Sequence, residues 1–219
     1  MKVRWTQGSA LLFAGALFLT GLTGCQVKQK EAQHNPIEEL KAKTEHGTAD
    51  EQYKLGRRFK EGDHVPEDDG EACKWFRKAA ERGHAEAQSK LGTMYFIGRG
   101  VAKDPTEALK WYRQAAEQGH TNAQYDVGSA YHLGMGVAKD HGEAMRWFRK
   151  AAERGHSAAQ CDIGWMYYYG EGVERDYHEA ARWYRQAAEK GSASAQYLLG
   201  EMHRNGYGVA KDYAETVKW

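Results

Sequence analysis

The sequence predicts an all-α fold, an α/α superhelical solenoid of five 36-residue helix-loop-helix repeats. Three observations predict it. Leu55, Leu91, Val127, Ile163 and Leu199 recur every 36 residues, each followed by a glycine. Trp75, Trp111, Trp147, Trp183 and Trp219 recur at the same offset, and the closing glycines Gly83, Gly119, Gly155 and Gly191 keep it too. A fixed period of this size marks stacked supersecondary units, because one helix pair cannot bury its apolar face alone. A chain of 219 residues with 41% apolar side chains and 3 Pro is neither disordered nor collagen-like.

The first segment, residues 1–24, reads as an export signal. Lys2 and Arg4 form a charged start, Ala10 to Leu19 is an apolar run, and Leu22-Thr23-Gly24-Cys25 closes it. The run is shorter than the roughly 20 apolar residues that span a bilayer, which favours cleavage over a membrane-crossing anchor. Leu-Thr-Gly-Cys resembles the lipobox of bacterial lipoproteins. That resemblance implies cleavage before Cys25, lipidation of Cys25 and a periplasmic address; Gln26 after the cysteine implies the outer membrane. Without Lys2 and Arg4 the remaining chain holds 29 basic and 30 acidic side chains, a net charge of −1. Nucleic acid is therefore excluded as the expected partner, since no basic excess is present. Residues 25–48 follow as a polar, lipid-anchored linker. Within it Asn35-Pro36-Ile37-Glu38 looks like a helix start and Gly47 like a stop, so a short capping helix is expected.

The five repeats span 49–84, 85–120, 121–156, 157–192 and 193–219. In the second, Ala87, Leu91, Met94 and Tyr95 recur at helical spacing and define one face of a first helix, helix A. Gly98 stops that helix and Gly100 tightens the loop. Asp104-Pro105-Thr106-Glu107 starts helix B: Asp104 accepts orphan backbone N–H groups, Pro105 suits the first turn, and Glu107 stands at capping-box distance. All five repeats carry this Asp-x-x-Glu. The first repeat has His64 in place of the second loop glycine, so a different loop is expected there. The fifth stops at Trp219 in mid helix B, leaving that helix short.

The pattern running from Ala87 to Gly119 resembles the Sel-one-like repeat (SLR), a relative of the tetratricopeptide repeat, over residues 49–219. The resemblance implies a superhelix whose A helices line the concave side. It also implies protein binding: some SLR lipoproteins are immunity proteins that neutralise antibacterial phospholipase toxins of type VI secretion. Others act as envelope assembly or polysaccharide-export scaffolds. A phospholipase toxin is thus the most specific partner expected, with the membrane contacted through the N-terminal lipid only.

No enzyme, cofactor or small-molecule substrate is expected. The Gly-x-Gly-Val of four of the loops lacks a preceding strand and recurs as a structural turn rather than a phosphate cradle. Some family members are described as β-lactamases, yet no serine here is followed three residues later by lysine. Cys73 and Cys161 sit on repeats one and four, far beyond the roughly 7 Å Cα limit of a disulfide, and read as small apolar packing groups. His84, His120 and His156 recur at the junctions. Equivalent positions lie about 10 Å apart, so they cannot share a zinc whose donors stand at about 2.1 Å. No metal site is expected, and these histidines read as solvated.

Partner contacts are sought where the repeats differ. The fifth, ninth and twelfth residues of each repeat share one face of helix A. They are Tyr53/Arg57/Lys60, Ser89/Thr93/Phe96, Tyr125/Ser129/His132, Cys161/Trp165/Tyr168 and Tyr197/Glu201/Arg204. Arg57, Phe96, Tyr125, Ser129, His132, Trp165, Tyr168, Tyr169 and Glu201 are the candidate partner-binding residues, centred on repeats three and four. Trp165 stands outside the repeated tryptophan position, and aromatic residues dominate binding hot spots. Packing between repeats is the other reading of Trp165, and exposure separates the two.

Overall fold

Helices A and B alternate along the chain as the period requires. The computed structural model describes residues 36–219; the export signal and Cys25 lie outside the described residues. The A helices are α2 (Ala49–Glu61), α4 (Ala85–Ile97), α6 (Thr121–Leu133), α8 (Ser157–Tyr169) and α10 (Ala193–Asn205). The B helices are α3 (Asp69–Glu81), α5 (Pro105–Glu117), α7 (His141–Glu153), α9 (Tyr177–Glu189) and the short α11 (Tyr213–Lys218), and α1 (Pro36–Glu45) precedes them all. From α2 to α11 each helix packs on its neighbours in sequence, which is the α/α solenoid. No strand occurs among the described residues.

Capping sets the helix boundaries. Every B helix begins at an aspartate, Asp68, Asp104, Asp140, Asp176 or Asp212, whose carboxylate accepts from backbone N–H groups of the first turn. The glutamate three residues on does not reach back to close the box. It pairs instead with the next basic side chain along the helix, as in Glu71–Lys74 at 2.8 Å and Glu107–Lys110 at 2.8 Å. The reciprocal box forms at α2, between Thr48 and Glu51. The A helices end at left-handed glycines, from Gly62 to Gly206.

The junction histidines are not solvated as expected. The Nδ1 atoms of His84, His120 and His156 each accept a backbone N–H, from Ala87, Ala123 and Ala159, at 3.2 Å. They are the N-caps of α4, α6 and α8. The capping role needs an unprotonated Nδ1, and His120 Nε2 then points its hydrogen at Glu86, 2.7 Å away.

Two repeated motifs draw the helices together. The Leu-Gly glycine of the first four A helices gives room to a ring of the same repeat's B helix: a Cβ on Gly92 would stand 2.7 Å from Tyr112, and one on Gly128 2.5 Å from Phe148. The Ala-Gln glutamine ties helix A to the end of the preceding B helix. Gln88, Gln124 and Gln160 donate to the carbonyls of Ala80, Ala116 and Ala152 at 3.0, 3.2 and 3.3 Å, which answers acceptors left over at a helix C-terminus. Between them lies a core of small and large residues, with Leu91, Val127, Ile163, Phe148 and Tyr184 essentially sealed.

The inter-helix loops clasp the preceding repeat. Gly136, at φ 70°, presses onto the start of α5 so closely that a Cβ would lie 2.3 Å from the Pro105 carbonyl oxygen. In the first repeat the loop does not differ in conformation as expected: His64 takes the same left-handed turn at φ 59°. Among the described residues only α1 lies before this repeat, and the His64 side chain extends into solvent, 86% exposed. The expected capping helix is α1, in the place of a preceding helix B. Leu40 and Thr44 sit 36 residues before Phe76 and Ala80, Gln52 donates to the Glu45 carbonyl at 3.1 Å, and Lys41 pairs with Glu71 at 3.2 Å.

Candidate functional site

The three face positions of helix A behave differently. The twelfth position turns into the seam between repeats. Phe96 packs half-buried against the core. His132 faces His141 with ring centres 5.2 Å apart. Tyr168 stands edge-on to Tyr177 at 5.1 Å. The ninth position stays nearer solvent, exposed at Arg57, Thr93 and Trp165 and half-buried at Ser129 and Glu201, whereas the fifth runs from buried at Ser89 to exposed at Tyr197. Tyr125 is half-buried, stacked on His156 at 4.5 Å, and Ser129 lies one turn on. Arg57 is exposed and engaged by Glu61 at 2.9 Å. Glu201 is half-buried and paired with Arg204.

Trp165 is exposed, at 39%, and so is Tyr169, at 54%. Their ring centres lie 4.3 Å apart, so both aromatic groups reach solvent as one patch at the end of α8. Tyr125, Ser129, His132, Phe148, Asp162 and Trp165 surround an open pocket of about 360 Å³. A neighbouring pocket of about 190 Å³ is lined by Phe96, Tyr112, Tyr125, Asp126, Ser129 and Met135. Of the nine nominated residues the structure thus gathers Tyr125, Ser129, His132 and Trp165 around one cavity. Arg57 and Glu201 stand on other repeats.

Two carboxyls in these pockets escaped the sequence reading. Burial pushes both Asp126 and Asp162 up to about 6. A hydrogen bond from Tyr125 offsets part of this at Asp162, and the Tyr125 hydroxyl is itself pushed up to about 12 by burial. Among the described residues neither aspartate forms an ion pair. The signal was present in the sixth residue of each repeat, which reads Lys54, Lys90, Asp126, Asp162 and Leu198. A reversal of charge at a fixed register position is as informative as a change of aromatic residue.

Among the described residues Cys73 and Cys161 are unpaired thiols. Cys73 is buried in the core and Cys161 is half-buried, with burial pushing its thiol up to about 11. Both act as packing groups, as their spacing implied. The pocket itself offers aromatic faces, a hydroxyl and a carboxyl without a cation, which is an arrangement for receiving a basic side chain.

The family model described as Sel1 repeat matches residues 52–84, 85–120, 121–156, 157–192 and 193–219. Among solved structures, a protective antigen of uropathogenic Escherichia coli displaying an SLR fold is 40% identical, with a TM-score of 0.79, over 82% of this chain and 38% of its own. The chain therefore spans well under half of that antigen's length. A Sel1 repeat protein from Oxalobacter formigenes is 36% identical with a TM-score of 0.74, covering 84% of this chain and 81% of its own. An immunity protein from Pseudomonas aeruginosa is 26% identical with a TM-score of 0.50, covering 77% of this chain and 62% of its own. No curated protein matches.

Proposed function

The chain belongs to the Sel1 repeat family, and from that premise we propose that it is an immunity protein. In this reading it is tethered in the periplasm by lipidated Cys25 and holds an antibacterial phospholipase toxin of type VI secretion on the A-helix face of repeats three and four. One observation carries the placement: the exposed Trp165 ring stands over a pocket whose Asp162 carboxyl has no ion-pair partner among the described residues. An arginine or lysine from a partner would supply the missing charge, and the flanking rings would hold its stem. The repeat scaffold presents this pocket on rigid helices, so little order is lost on binding. Likeness to an immunity protein of P. aeruginosa supports the choice of a toxin as partner.

The test has two arms. Deleting the gene should leave cells sensitive to a phospholipase toxin encoded beside it, and cells indifferent to that toxin end the immunity reading. Separately, Trp165→Ala with Tyr169→Ala changes only exposed rings and should leave the fold intact while weakening toxin capture at least tenfold, as expected for central aromatic anchors. Undiminished capture by the folded variant moves the interface elsewhere on the solenoid.

A further inference from the structure

Each junction between repeats brings together one residue from the end of an A helix, one from the start of its B helix and one from the loop of the next repeat. Four such triads lie at a constant 36-residue offset. At the first, Lys60 and Arg99 both bind the Asp69 carboxylate, at 3.1 and 2.6 Å. At the second, Phe96, Pro105 and Met135 meet as apolar groups around one pocket. At the fourth, Tyr168, Tyr177 and Tyr207 form an aromatic cluster with ring centres 5.1 to 6.2 Å apart. Each of these three sets satisfies itself through charge, apolar contact or ring packing.

The third set is His132, His141 and Glu171, and it does not. His132 Nδ1, His141 Nδ1 and Glu171 Oε2 are all buried without a hydrogen-bond partner among the described residues. The His132 Nε2 to Glu171 contact is 3.5 Å, an ion-pair distance without hydrogen-bond geometry. One ligand atom from each of the three side chains lies within 4.8 Å of the others. Buried polar atoms left open in this way cost free energy unless something fills the space between them.

We propose that His132, His141 and Glu171 bind a zinc-class divalent metal ion that staples repeat three to repeat four. Two imidazoles and one carboxylate are a donor set suited to zinc and its borderline neighbours rather than to calcium or magnesium. Donors of a tetrahedral ion stand about 2.0–2.1 Å from it, so side-chain shifts of about 1 Å close the site. Water takes the fourth position. Gly172 makes the approach possible: a Cβ there would meet the Cβ of His141 at 2.5 Å, and it is this contact that carries Glu171 to the α7 N-terminus. The junction histidines weighed in the sequence, His84, His120 and His156, are separate from this set and serve as helix caps. An ordered water is the competing occupant.

The full chain, untagged and stripped with EDTA, is titrated with zinc chloride by calorimetry and with cobalt chloride by visible absorption. One equivalent should bind, cobalt should show the intense ligand-field bands of a tetrahedral site, and equimolar zinc should raise Tm. His141→Gln and Glu171→Gln should each weaken binding at least tenfold. The triple variant His132→Tyr, His141→Tyr, Glu171→Tyr copies the fourth junction and should fold with a Tm that zinc does not move. No uptake by the wild type at micromolar zinc overturns the proposal. Equal uptake by wild type and variants overturns it as well, by assigning the ion to surface histidines.

Discussion

At the scale of single residues, the informative feature is a pair of aspartates held where water is scarce. Asp126 and Asp162 have their carboxyls pushed up to about 6 by burial. A folded-state value above the unfolded one means that the native chain binds more protons between about pH 4 and about pH 6. The two groups therefore favour folding at the acid end of that window and weaken it as the pH rises through it. His132 and His156, pushed down by burial, act in the opposite sense, so the useful quantity is a difference between proteins. Asp126→Asn and Asp162→Asn should each raise stability at pH 7 by on the order of 1 kcal/mol, discounted for partial solvent access. Urea unfolding at pH 4 and pH 7 checks this: the gain should vanish at the lower pH, and an equal gain at both excludes titration of the aspartates as its source. The same carboxyls are kept costly in the free protein and become favourable once a cation arrives, which fits residues reserved for a partner.

At the scale of elements, the loop after each A helix holds the solenoid in register. Gly136 is both left-handed and pressed against the Pro105 carbonyl oxygen, so Gly136→Ala meets backbone strain and a collision at once. A loss of roughly 2–4 kcal/mol is expected. His64 has the same backbone conformation, with its side chain in solvent instead of against a preceding repeat. His64→Gly should therefore change stability by less than about 1 kcal/mol, because relief of the left-handed turn is offset by a more flexible unfolded chain. Thermal melts of the two variants separate the clasp from the turn: similar effects would show that the loop's own conformation matters and its contact does not. Helix ends show a related division of labour, with aspartate capping every B helix while histidine, serine or threonine caps the A helices.

At the scale of the whole molecule, stability is carried from repeat to repeat, so the exposed end of the stack needs a cover. Helix α1 provides it, buried at Thr44 and half-buried at Ile37 and Leu40 against the first repeat. A chain starting at Thr48 should lose about 2 kcal/mol from these side chains alone. It should also associate more at high concentration, because the face beneath is apolar. Calorimetry and light scattering test both expectations, and an unchanged melt would show α1 to be an ornament rather than a cap.

Repeat length, helix order, the aspartate and glycine boundaries and the capping helix were legible from one chain, because a 36-residue period imposes the same local chemistry five times. Ala-Gln, Leu-Gly and Asp-x-x-Glu are local or nearest-neighbour devices, and each follows from the backbone groups and rings it serves. The glutamate of the last motif was misassigned because a basic residue one turn on competes for it, and the histidine caps because solvent access depends on a stacked neighbour. The candidate site was legible only in part. Trp165 stood out as a departure from the repeat and Tyr125 as part of the variable face of helix A, whereas the exposure of the one and the desolvation of Asp162 beside the other arise where two repeats meet. The same holds for His132, His141 and Glu171, which lie 9 and 30 residues apart along the chain. Periodicity alone determined the solenoid, since its information is short-range; stacking decided which side chains face water and which face each other, since that depends on residues of the neighbouring helix and the next repeat.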